Sequence, residues 1–118
     1  MMYEELIVME HMQIRMAKME DLDEIAFVES ECFPFGEAAT KEKFAERIKE
    51  YGTHFWLMCE EEKVIAFVDG MVTDEKNLTD EMYEKACLHD EKGAWQMIFG
   101  VNTLPKYRRQ GYAEKLFL

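Results

Sequence analysis

Phe99-Gly100-Val101-Asn102-Thr103-Leu104-Pro105-Lys106-Tyr107-Arg108-Arg109-Gln110-Gly111-Tyr112-Ala113-Glu114-Lys115-Leu116 passes from a strand-like run, across a proline, into basic and small residues that open a helix. The first turn of a helix presents free backbone N–H groups at the positive end of its dipole, and together these bind phosphate. Gly111 and Ala113 keep that surface flat, so a pyrophosphate can approach the backbone. From Leu104 onward four cations (Lys106, Arg108, Arg109, Lys115) stand against one acid, Glu114, a local charge of +3. The first 103 residues hold ten cations and 24 acids, hence −14. One basic island on an acidic chain points to an anionic ligand at that spot.

Working outward, 118 residues make a single small domain, and a hydrophobic share of 48% is enough for a packed core. A net charge of −11 argues against nucleic acid as a partner, because a phosphate backbone needs a basic face. No apolar run approaches the roughly 20 residues of a membrane helix. Leu6 to Met9 is flanked by Glu4, Glu5 and Glu10, unlike a signal peptide. Cys32, Cys59 and Cys87 show no C-x-x-C spacing and read as free thiols in a reducing, cytoplasmic setting.

Residues 1–10 read as an N-terminal extension, and 11–118 as one domain. Met12, Ile14 and Met16 alternate with Gln13 and Arg15, which predicts a strand at 11–17. A helix follows at about 21–33, its first turns acidic and its buried stripe Ile25, Val28 and Cys32. Pro34 and Gly36 end it. Thr40 caps a second helix over 41–51, with Phe44, Ile48 and Tyr51 facing inward. Two apolar runs, His54–Cys59 and Val64–Val72, flank Glu60-Glu61-Glu62-Lys63 and read as a hairpin. A short helix near 80–88 starts after the candidate cap Thr79. A fourth strand spans 94–103, and a third major helix opens near Arg109–Gly111. The order β-α-α-β-β-(α)-β-α predicts helices packed on a mixed or largely antiparallel sheet.

His11, His54 and His89 lack i, i+4 partners or a cysteine at metal spacing, so no metal site is expected. The ten methionines and Phe55-Trp56 read as core and pocket lining. Cys32 and Cys59 have no supporting base in sequence, which disfavours a cysteine nucleophile.

Within the opening stretch, Leu104 to Ala113 resembles the acetyl-CoA signature of the GNAT N-acetyltransferases, here Arg108-x-x-Gly111-x-Ala113 directly after strand four. Glu29-Ser30-Glu31-Cys32-Phe33-Pro34, followed by Glu37-Ala38-Ala39, resembles the acceptor-side loop of the arylalkylamine (serotonin-type) branch. The resemblance implies the GNAT acyl-CoA N-acyltransferase fold, an α/β (α+β) domain whose mixed, mostly antiparallel sheet is flanked by helices. It implies acetyl-CoA as co-substrate and a primary amine on a small molecule as acceptor, with direct attack in a ternary complex. It places the CoA pyrophosphate on backbone amides of Arg109, Gln110, Gly111, Tyr112 and Ala113, beside Arg108. It sets the pantetheine arm along Val101 and Thr103, puts a strand bulge at Gly100, and lines the amine pocket with Phe33, Pro34 and Glu37.

Two departures from the pattern follow. Where the arylalkylamine branch carries histidines on strand four, this chain reads Gln96-Met97-Ile98-Phe99, with no titratable side chain from Ala94 to Thr103. Gln96, His89 and Asp90 are therefore the candidates for orienting water or moving a proton, with Asp69 a further nearby acid. The family also continues beyond this point with a strand, a helix and a hairpin, about 35–45 residues by average element lengths. The expectation is a C-terminally truncated domain with an open sheet edge, which a homodimer or a complementing chain would cover. The alternatives are a CoA-binding module without catalysis, or a half-domain completed by a partner chain.

Overall fold

In the computed structural model, which describes residues 12–34 and 36–108, the alternation at Met12, Ile14 and Met16 forms strand β1 (Met12–Met16). Helix α1 (Leu22–Cys32) follows a 3₁₀ turn at Met19–Asp21. Asp21 anchors that corner, its carboxylate taking both Nη atoms of Arg15 (2.8 and 2.7 Å) and the Lys18 N–H. Helix α2 (Lys41–Tyr51) begins where the sequence places it, with the Thr40 hydroxyl accepting the Lys43 N–H at 3.2 Å.

The hairpin is β2 (Phe55–Glu60) and β3 (Lys63–Asp69), joined by Glu61 and Glu62, with Glu61 at φ 58°. The main sheet has the order β1-β2-β3-β6, where β6 is Gly100–Thr103, and every pairing in it is antiparallel. Ile25 and Val28 of α1 and Phe44 of α2 are fully buried with Phe55, Leu57 and Phe67 in the main core. Phe44 meets Phe55 and Phe67 edge-on, ring centroids 6.0 and 5.5 Å apart. Filling that junction makes α2 hard to displace, since removing such a ring typically costs about 3–5 kcal/mol. Ile48 is only half-buried.

The fourth strand does not run unbroken from 94 to 103. Trp95–Gln96 (β5) pairs with Val72–Thr73 (β4) in a separate two-stranded sheet, while Gly100–Thr103 returns to β3. Between them, the Met97 N–H bonds the Met71 carbonyl and the Phe99 N–H bonds the Asp69 carbonyl, each at 2.8 Å. Gly100 itself pairs in register with Asp69, so the irregularity lies at 97–99 and not at Gly100. Gly70 makes the break possible: a Cβ there would stand 1.7 Å from the Met97 carbonyl oxygen.

The expected 80–88 helix is two pieces, α3 (Asp80–Glu84) and a 3₁₀ turn at Ala86–Leu88. The Thr79 side chain makes no capping bond, a correction to its assigned role. Met71, Met82, Ala86 and Met97 form a second cluster around Tyr51. Residues 1–10 and the helix expected near Arg109–Gly111 lie outside the described residues; before them Pro105–Tyr107 forms a 3₁₀ turn. Among the described residues no helix is long and apolar enough to cross a membrane.

Candidate active site

Asp69 ends β3 and is 1% exposed; Arg47, on the inward face of α2, is 6% exposed. Arg47 Nη1 stands 3.4 Å from Asp69 Oδ2, and Nη2 donates to the Tyr83 carbonyl at 3.2 Å. The guanidinium also sits 5.2 Å from the ring centres of both Phe44 and Phe99. Among the described residues its Nε and the Tyr51 hydroxyl are buried without hydrogen-bond partners. Burial pushes the Asp69 carboxyl up to about 6; Arg47 opposes this and the nearby Glu29 adds to it. Burial, with Asp69 close by, also drives the Tyr51 phenol well above its ordinary range, so it stays protonated.

Of these groups Arg47, Asp69, Tyr83 and Phe99 line a cleft of about 610 Å³, within the usual size of small-molecule sites. The turn after α1 and the chain leading into α2 supply one wall through Phe33, Glu37 and Ala39. Tyr83 and Phe99, with ring centroids 4.7 Å apart, supply an aromatic face, and Tyr83 donates its hydroxyl to the Phe99 carbonyl at 3.4 Å. Gly100 and Asn102 bring β6 to the same opening. At the rim Lys43 pairs with Glu84 at 3.2 Å. The cleft thus joins an apolar wall to a buried carboxylate that can exchange a proton near neutral pH.

The structure separates the residues singled out by sequence. Phe33 and Glu37 line the cleft; Pro34 does not, and its carbonyl instead closes a turn with the Glu37 N–H at 3.0 Å. Gln96, His89 and Asp90 lie outside the lining. Gln96 Nε2 donates to the carbonyls of Gly70 and Met97, both at 2.8 Å, and so pins the strand break. Asp90 accepts the Lys92 N–H, and His89 accepts the Val72 N–H. On β6, Val101 is exposed and Thr103 half-buried. The Thr103 carbonyl already accepts Arg108 Nε at 3.0 Å and the Cys32 thiol at 3.4 Å. Arg109, Gln110, Gly111, Tyr112 and Ala113 lie outside the described residues.

Arg47, Lys43, Tyr83 and Glu84 line the cleft without having been singled out in the sequence, and Glu29 and Asn102 stood in quoted stretches without a site role. For Arg47 and Glu29 a signal existed. Arg47 lies three residues after Phe44 and four before Tyr51, inside the apolar stripe of α2, and Glu29 follows Val28 and sits four after Ile25 in that of α1.

His54, His89 and Glu91 bring three ligand-type atoms within 4.8 Å of one another. The arrangement opposes metal binding. His89 Nδ1 accepts the Val72 N–H at 3.0 Å, so that nitrogen carries the lone pair and Nε2 carries the proton, which it donates to Glu91 at 2.8 Å. With Nδ1 taken by Val72, a metal could be held only by a bare Nε2, which would leave the proton on Nδ1 facing the Val72 N–H. The trio is a hydrogen-bonded strap between the Gly52–His54 turn and the chain after Ala86–Leu88.

The helix-backed antiparallel sheet, broken at its last described strand beside a cleft with a buried acid, defines a small α+β domain with a ligand-sized site. Residues 17–118 match the Acetyltransferase (GNAT) family, and the chain belongs to that family. The loading GNATL domain of CurA from Lyngbya majuscula superposes with a TM-score of 0.79 at 24% identity, covering 90% of this chain and 54% of that one. The GphF GNAT-like decarboxylase, in complex with isobutyryl-CoA, gives 0.79 at 23%, covering 89% and 55%. The ribosomal-protein-S18-alanine N-acetyltransferase from Escherichia coli gives 0.58 at 17%, covering 90% and 54%. The chain therefore spans about half the length of these solved structures. No curated protein sequence matches it.

Proposed function

We propose that this chain forms the acceptor side and central sheet of an acetyl-CoA-dependent N-acetyltransferase. Its acceptor is a primary amine on a small molecule of arylalkylamine or polyamine type, which attacks the thioester directly in a ternary complex. The observation that carries the reading is Asp69, buried at the end of β3 opposite Gly100 and opening onto the cleft floor. An alkylamine is almost wholly protonated near pH 7 and must lose a proton before it can attack. Asp69, raised to about 6, is mostly ionised at neutral pH yet basic enough to take part in that transfer. It takes the base role in place of Gln96, His89 and Asp90. Tyr83, Phe99 and Phe33 suit an aromatic or alkyl body, and Glu37 at the mouth suits its ammonium.

Acetyl-CoA lies along β6 in this reading, beside Val101 and Thr103, with its pyrophosphate toward Arg108-x-x-Gly111-x-Ala113. Strand β6 is a sheet edge among the described residues. In this reading a second copy or a complementing chain pairs along that edge. The free thiols Cys32, Cys59 and Cys87 suit the cytoplasm.

The test mixes the protein with acetyl-CoA and a panel of arylalkylamines and polyamines and follows free thiol. Amine-dependent release that is lost in Asp69→Asn supports the reading. Calorimetric CoA binding without turnover on any amine favours the binding module. Decarboxylation of a carboxyacyl-CoA is a second reading, favoured by the buried Arg47 guanidinium in the same cleft, which suits a carboxylate. Carbon dioxide released from malonyl-CoA without any amine distinguishes it.

A further inference from the structure

Glu29 is 7% exposed, and among the described residues no cation pairs with it. Its carboxylate is satisfied by two neutral donors from different parts of the fold. Oε2 accepts the Ala39 N–H at 2.7 Å, and Oε1 accepts Nδ2 of Asn102, itself 4% exposed on β6. One side chain on α1 therefore ties the chain leading into α2 to the strand on the far side of the cleft. All three residues line that cleft. A buried carboxylate without a counter-ion is costly, and a hydrophobic side chain would fill the space more cheaply. What the carboxylate adds is a pair of short, directional, charge-assisted bonds.

We propose that Glu29 is a positioning residue whose clasp on Ala39 and Asn102 sets the gap between the amine wall and β6. The inference rests on the acetyl-transfer reading, in which the amine approaches from the Ala39 side and the thioester from the β6 side. Fixing that separation matters because small misplacements of reacting groups cost large factors in rate.

The swap of polar roles tests it. Asn102→Asp alone sets two carboxylates against each other and opens the clasp. Glu29→Gln combined with Asn102→Asp restores it in reverse, the Gln amide donating to the new carboxylate and its carbonyl still accepting Ala39 N–H. The single variant is expected to lower kcat/KM for the amine about tenfold or more, chiefly through kcat. CoA affinity by calorimetry stays within about twofold, and the double variant recovers to within about threefold of the wild type. An unchanged kcat in Asn102→Asp, or a double variant no better than the single one, overturns the proposal.

Hydrogen exchange at the Ala39 amide separates this inference from the function on which it rests. If the wild type acetylates no amine, the transfer reading fails, and the clasp is still judged by exchange. Asn102→Asp is expected to speed exchange at Ala39 by about tenfold or more, with the double variant slowing it again. Unchanged exchange at Ala39 sinks the clasp.

Discussion

Arg47 Nη1 and Asp69 Oδ2 stand 3.4 Å apart beneath the cleft, at the long end of hydrogen bonding and shielded from water by Phe44 and Phe99. The pair is loose enough for burial to outweigh the cation, and this leaves the Asp69 carboxyl at about 6. A base must be ionised to act. The amine-dependent rate is therefore expected to rise with pH through about 6 and then level. Asp69→Asn is expected to cut kcat by about 10²–10⁴ and abolish that limb. A pH–rate profile of both proteins checks this; an Asp69→Asn enzyme with the wild-type limb would remove Asp69 from the chemistry.

The same shift has a stability consequence of opposite sense. Asp69 is raised from 3.8 to about 6 on folding, so the folded state holds its proton longer than the unfolded chain. Its contribution is full below about 4 and declines as pH rises through about 6. Denaturant unfolding between these values is expected to show a downward slope that Asp69→Asn flattens.

Arg47→Ala leaves Asp69 buried without its cation. A loss of about 3–5 kcal/mol in unfolding free energy is expected, the usual size for breaking one side of a buried pair. Removing both charges, as Arg47→Met with Asp69→Asn, is expected to recover most of it. Urea titrations of the two variants beside the wild type decide the matter.

Gly70→Ala places a methyl where the Met97 carbonyl stands, at 1.7 Å, so backbone must move. Gly36, at φ 91°, has nothing within 4 Å of its would-be Cβ, and Gly36→Ala meets only backbone strain. The expected losses are more than about 3 kcal/mol for Gly70→Ala and about 1 kcal/mol for Gly36→Ala. Thermal unfolding of the two proteins side by side measures the difference.

Asp21 titrates in the other direction. The hydrogen bonds from Arg15 hold its carboxyl below the ordinary 3.8, aided by the Lys18 N–H. Its contribution is present above 3.8 and fades as pH falls below that value. Asp21→Asn is expected to unfold less steeply with acid than the wild type below pH 3.8, as followed by circular dichroism.

Elements whose causes are local were legible. Thr40 and the stripe of Phe44 and Tyr51 fixed α2, and the acidic turn at Glu61-Glu62 marked the hairpin. The split of strand four was not, because Ala94 to Thr103 offers no polar interruption stronger than Gln96. The break comes from Gly70, more than twenty residues away, letting Met97 approach. The site was half visible. Phe33 and Glu37 stood in a recognisable stretch, and Asp69 was in view only as a nearby acid. Arg47 and Glu29 each sit in an apolar stripe, where a charged residue signals a buried partner. The partners, Asp69 at 22 residues and Asn102 at 73, are brought near only by the packed sheet.

The chain leaves the main sheet at Asp69 and rejoins it at Gly100, and these two residues are direct partners across β3 and β6. Everything between them is a closed excursion with coincident ends. Closing such an excursion costs little more when its outer turns are lengthened or trimmed, provided its anchors to the frame are kept: the cluster around Tyr51 and the Tyr83 carbonyl on Arg47. Since it contributes Tyr83 and Phe99 to the cleft, it is the natural graft point for retuning which molecules this scaffold admits.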